Sequence, residues 1–103
     1  MTEPSIGRIV HYTLAAQDAE AIDYRRSASR RLLAADHMEG AQFLIGNPVR
    51  EGDIFPMMIV RVWEGATPPL VQGQVFLDGS DTLWVTSVAE GSGPRTWSWP
   101  PSA

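Results

Sequence analysis

Apolar and polar positions alternate most clearly in the second half of the chain, in three runs bounded by turn residues. They are Phe55 to Trp63, Leu70 to Leu77 and Thr82 to Val88. Each is rich in β-branched and aromatic side chains, the composition of strands. The last two are joined by Asp78-Gly79-Ser80-Asp81, a short polar turn in which Gly is expected to supply a positive φ. Together the runs predict a three-stranded meander. In its first strand Met58, Val60 and Val62 form the expected core face, and Phe55, Met57, Ile59, Arg61 and Trp63 the other. Gly73 inside the next strand predicts a bulge or a close backbone approach.

The first half adds one strand, a helix and a short strand. Residues 7–14 alternate Arg8, Val10, Tyr12 and Leu14 with Ile9, His11 and Thr13. Neither face is purely polar, which predicts burial on both sides, by the helix or a second subunit. His11 is read as a packing residue. Residues 18–38 contain neither Pro nor Gly, and Gly40 follows as a stop, so this stretch is the expected helix, with Asp18 as N-cap. Its apolar stripe (Ala19, Ile22, Ser29, Leu32, Leu33) is thin. Residues 41–46 read as a short strand, followed by the turn-rich Asn47-Pro48 and Glu51-Gly52-Asp53. At the other end Trp97 and Trp99 stand two apart before Pro100. That spacing suits a terminal strand or plug closing a barrel, or a subunit interface.

The fold expected is a single domain over residues 1–103: a mainly β, small SH3-like antiparallel barrel, partly open, with one inserted helix. Its strands fall near 7–14, 41–46, 55–64, 70–77 and 82–88. Excess apolar surface on so short a chain predicts a homo-oligomer, a dimer or higher.

Composition narrows the function classes. With 44% hydrophobic and 19% charged residues among 103, the chain has the make-up of an ordinary soluble domain. It has no apolar run of the roughly 20 residues a bilayer requires and no leader-like N-terminus, so no membrane role is expected. Cysteine is absent, which removes disulfides, thiol catalysis and thiolate metal sites. His11 and His37 are too few for a metal site, and Asp78 and Asp81 are better explained by the turn. No nucleophile elbow, phosphate loop or zinc-binding helix motif occurs. The expectation is a non-enzyme with no cofactor and no metal.

The net charge of −4 argues against a nucleic-acid polymer as partner. Yet all eight cations are arginine and none is lysine, the type suited to bidentate recognition of phosphate and to stacking on aromatic rings. Arg25, Arg26, Arg30 and Arg31 cluster on the helix, and only Arg26 has an acid-first neighbour, Asp23, at helical spacing. Arg61 lies two residues from Trp63, close enough to stack on it or to share a ligand with it. A small anionic, nucleotide-like ligand is therefore expected at Arg61 and Trp63, with Arg26 and Arg30 of the helix contributing after them.

Gly7-Arg-Ile-Val-His-Tyr12 and Trp97-Ser-Trp-Pro100, with Gly52-Asp-Ile-Phe-Pro-Met57 and the stretch Gly73 to Ser87, resemble a small protein family of tailed bacteriophages and prophages. The likeness covers both ends and most of the second half, and least of all residues 19–40. Its motifs carry no assigned chemistry. What the resemblance implies is a phage origin, the cytoplasm of an infected bacterial host, and an accessory role. That role is either sequestration of a nucleotide-type immune signal of the host or a structural or host-protein interaction module.

Overall fold

A computed structural model describes residues 3–34 and 44–101. They form β1 (Ile9–Thr13), α1 (Ala16–Ala34), β2 (Ile54–Trp63), β3 (Leu70–Phe76), β4 (Thr82–Glu90) and β5 (Thr96–Ser98). The strands close a barrel in the order β1-β2-β3-β4-β5, with β5 returning to β1. This is the expected small SH3-like barrel with one inserted helix, closed rather than partly open. Four of the strand pairs are antiparallel, whereas β4 and β5 run parallel through Ala89↔Thr96 and Glu90↔Trp97.

The closing strand is the tryptophan segment at the C-terminal end, not residues 41–46. Residues 41–43, with His37 and the expected last turn of the helix to Met38, lie outside the described residues. What is described of that short run is a single antiparallel bridge, Gly46↔Gly79, flanked by Asn47 N–H to Asp78 C=O and Ser80 N–H to Ile45 C=O. It clamps the β3–β4 turn. Gly79 does not supply the positive φ expected of it; among the described residues the glycines with positive φ are Gly7 and Gly52. Its role is close approach. A Cβ at Gly79 would strike the Ile45 carbonyl oxygen and come within 2.6 Å of the Gly46 Cα. Gly79→Ala is therefore expected to lower stability by about 1–3 kcal/mol, the usual range for overpacking, readable as a lower denaturation midpoint.

Inward residues form rows across the sheet. Val10, Met57, Val75 and Leu83 pair in sequence, as do Ile59, Gly73 and Val85. All but half-buried Leu83 are buried. The expected core face of β2 is thus corrected: Met57 and Ile59 are fully buried, while Met58 and Val60 are exposed. Both alternating sets are apolar, so alternation by itself could not orient the strand. A register shift between Ile59 and Arg61 then inserts one extra residue and reverses the phase. Beyond it Val62 packs on the core, as expected. Gly73 fulfils its expectation, since a Cβ there would come within 2.5 Å of Met57 Cγ. The burial expected on both faces of β1 is only partial: Val10 and Tyr12 are buried, while on the other face His11 and Thr13 are half-buried and Ile9 is exposed.

One buried and one partly buried polar contact fix the start of the helix. The Tyr12 hydroxyl donates to Asp18 Oδ2 at 2.5 Å, and the same carboxylate oxygen accepts the Ala15 N–H at 2.9 Å. Asp18 thus lies within the first turn and caps backwards onto residue 15, as the third residue of a capping box does, rather than serving as the N-cap itself. Burial, then the hydrogen bond to Asp18, push the Tyr12 hydroxyl well above its ordinary range, so it stays a donor. Ile22 enters the core.

Candidate functional site

The bulge in β2 determines what its outer face displays. It turns Arg61 outward, opposite Gln72, and leaves Trp63 on the same face opposite Leu70. The Arg61 guanidinium carbon lies 3.8 Å from the Trp63 ring centroid. On the other strand Gln72 Oε1 accepts the Trp63 indole N–H at 3.0 Å. The amide fixes the ring, and the ring supports the guanidinium. A stacked guanidinium leaves its in-plane N–H groups directed sideways, and among the described residues no hydrogen bond or ion pair engages those of Arg61. Strands β2, β3 and β4 contain no carboxylate before Glu90, at the very end of β4. These strands thus present Arg61 as their one cation, with exposed Glu64 just after Trp63 and Glu90 at the end of β4 as the neighbouring carboxylates in sequence, an arrangement able to accept a planar anion.

The helix arginines are placed quite differently. Arg26 is buried, and its Nε and Nη2 donate to Asp81 Oδ2 and Oδ1, both at 2.9 Å. Its Nη1 donates to the Asn47 carbonyl at 2.6 Å. All three nitrogens are engaged by the protein, and the side chain locks the helix to the β3–β4 turn. The hydrogen bonds to Arg26, against the opposing effect of burial, hold the Asp81 carboxyl below the usual carboxylate range. The Arg26 guanidinium is correspondingly raised, first by its hydrogen bond to Asp81. Arg25 Nη2 donates to the Thr82 carbonyl at 3.0 Å, and exposed Arg30 donates to Ser27 Oγ at 2.9 Å.

The chain thus brings Arg61 and Trp63 together but not Arg61 and Arg26. Arg61 pairs with Gln72 near the start of β3, whereas Arg26 binds beyond its far end. The run from Gln72 to Phe76 by itself separates them by about 13 Å at the rise of a strand. Arg26 carried its own signal. It continues the helical spacing Asp18, Ile22, Arg26, Ser29, all buried, so an arginine inside the inward stripe pointed to a buried partner.

A second stack was not foreseen. Arg8 lies over Trp99 at 5.1 Å, and Trp99 meets Trp97 edge-on at 5.3 Å. Trp97 is in the core and Trp99 packs against it, so both indoles complete the barrel. Asp78, weighed as a weak cation ligand, accepts from the Asn47 amide at 2.8 Å. Among the described residues no group of three or more His, Asp or Glu could hold a metal, and no helix is long and apolar enough to cross a membrane.

Comparison with protein-family models, curated proteins and solved structures gave no match.

Proposed function

We propose that the protein is a non-catalytic binder of a small anionic ligand of nucleotide type, received at Arg61 and Trp63 on the outer wall of the meander. The observation that carries this reading is the Arg61–Trp63–Gln72 triad: an indole fixed by an amide, with a guanidinium stacked on it whose donors are uncommitted. A base stacking on such an indole gains about 1–3 kcal/mol, and charge-assisted hydrogen bonds from the guanidinium about 1.5–3 kcal/mol. Their sum falls short of the about 8 kcal/mol that a micromolar complex requires. The ligand must gain the rest from neighbouring groups of the same wall. A compound with more than one phosphate or base fits that requirement better than a mononucleotide.

In biological terms, the likeness to tailed-phage proteins supports an accessory protein that sequesters a nucleotide-type immune signal in the cytoplasm of an infected bacterium. Arg26 is committed to Asp81, and exposed Arg30 donates to Ser27 with no described contact that brings it to Arg61. The second reading, an interaction module without a small ligand, is favoured by the exposed apolar side chains of the same wall. A thermal-shift screen with cyclic dinucleotides and ADP-ribose derivatives separates the two.

Arg61→Ala is expected to weaken a ligand found in that screen by tenfold or more. The lost exposed cation–π contact, about 0.5–1 kcal/mol, should lower the melting temperature by only a few degrees. Titration calorimetry beside a melting curve reads both. Unchanged binding with a lower melting temperature would make the stack a structural feature and sink the site.

A further inference from the structure

Beyond the triad, the same wall carries large apolar side chains that no described residue covers. Strand pairing places Ile9 opposite Met58, Met58 opposite Gln74, and Gln74 opposite Trp84. This outward row crosses four strands. Ile9 is 44%, Met58 38% and Trp84 58% exposed. Phe76, two residues beyond Gln74 on the same face, is 42% exposed, and Val60 at the bulge adds to the patch.

We propose that a second copy of this chain packs on this row across a two-fold axis passing near Gln74. Three observations select a copy of itself as the occupant. The first is area. Taking about 200 Å² as the full surface of such a side chain, the four apolar residues on β2, β3 and β4 expose on the order of 350 Å². A standard interface covers about 800 Å² per partner and is about two-thirds apolar at its centre, so the patch supplies most of the apolar surface that one half of a dimer needs. The second is charge. Each copy carries −4, and two such chains meet with least repulsion through a wall whose strands hold no carboxylate but Glu90 at the end of β4. The third is the glutamine at the middle of an apolar row. Its amide has no hydrogen-bond partner among the described residues, and an amide both donates and accepts. It is therefore self-complementary across a two-fold axis, where each residue near the axis faces its own copy. Arg61 and Trp63 stay at the rim, so the dimer does not depend on the ligand site.

The test is the mass in solution by size exclusion with light scattering, at low micromolar concentration. The wild-type chain should run at twice its 11.3 kDa. Met58→Glu and Trp84→Glu should each weaken the dimer by about 30-fold or more, as loss of a central contact does. Both should retain the wild-type circular dichroism, because the side chains are on the surface. Tyr24→Glu, more exposed still but on the helix, should leave the mass unchanged. As the chain has no cysteine, Gln74→Cys provides a second measurement that tolerates failure of either glutamate variant to fold. Mild oxidation should link it to a covalent dimer much faster than Arg30→Cys. A monomeric wild-type mass, a dimer indifferent to both glutamates, or Gln74→Cys linking no faster than Arg30→Cys overturns the proposal.

Discussion

Arg26→Ala is expected to remove about 3–5 kcal/mol of folding stability, the cost of leaving one partner of a buried ion pair without the other. That is a large share of the 5–15 kcal/mol that a domain usually has. The side chains of Arg26 and Asp81 are only 2% and 1% exposed, so water cannot replace the missing guanidinium. Asp81→Ala should cost a similar amount, and the double variant much less than the two added together, because it leaves no orphaned charge. Urea denaturation of the four proteins measures this coupling; additive losses would mean the pair contributes nothing beyond its parts. The pH dependence follows from Asp81. Its folded carboxyl titrates below its unfolded value, so the unfolded chain binds the proton first. The pair's stabilisation is present above the ordinary carboxylate range and is lost as pH falls through the depressed folded value. Asp81→Asn should therefore flatten the acid limb of a stability–pH curve and leave its neutral region lower.

Trp97→Ala is expected to cost about 3–5 kcal/mol, the range for emptying a buried tryptophan site. It also removes an edge-on contact with Trp99 worth about 0.5–1.5 kcal/mol. The location makes the loss global. Trp97 pairs with Tyr12 on one side and Glu90 on the other, within a three-residue strand that has few other contacts to retain it. Trp97→Phe separates shape from polarity. The indole nitrogen is buried and has no hydrogen-bond partner among the described residues, so phenylalanine forfeits volume but no bond and should cost less than half as much. Chemical denaturation of both variants decides it. Equal losses would mean that the indole N–H matters after all.

The meander was legible in the sequence because each of its strands is bounded by turn residues and carries side chains that only a pleated surface accommodates. The orientation of β2 was not. Met57 and Met58 are chemically alike, and which one enters the barrel is decided by Val10 and Val75 across the sheet, a long-range fact. The bulge at Val60 then reverses the phase, which no local pattern records. Of the site, the Arg61–Trp63 pair was legible because neighbours two apart on a strand share a face whatever the register. Its dependence on Gln72 was not, since that bond crosses strands. Arg26 was misjudged as a ligand contact because a basic cluster with few acid-first neighbours reads as an anion site. Only the helical spacing from Asp18 through Ile22 to Ser29 reveals that one of the four arginines faces inward.

The barrel seam joins Tyr12 to Trp97, about 85 residues apart, and such long-separation pairings slow folding because loop entropy is lost before contacts compensate for it. The β2–β3–β4 meander, whose strands are neighbours in sequence, can assemble early and by itself. Closure waits for the two outermost strands to find each other. Kinetically, the seam belongs on the native side of the folding barrier: substitutions at Trp97 should accelerate unfolding, whereas those at Val75 should slow folding. The same ordering makes the seam the first place to open. Its amide protons, those of Arg95 and Gly91 among them, should exchange with solvent sooner than those between β2 and β3, through brief partings that never unfold the meander.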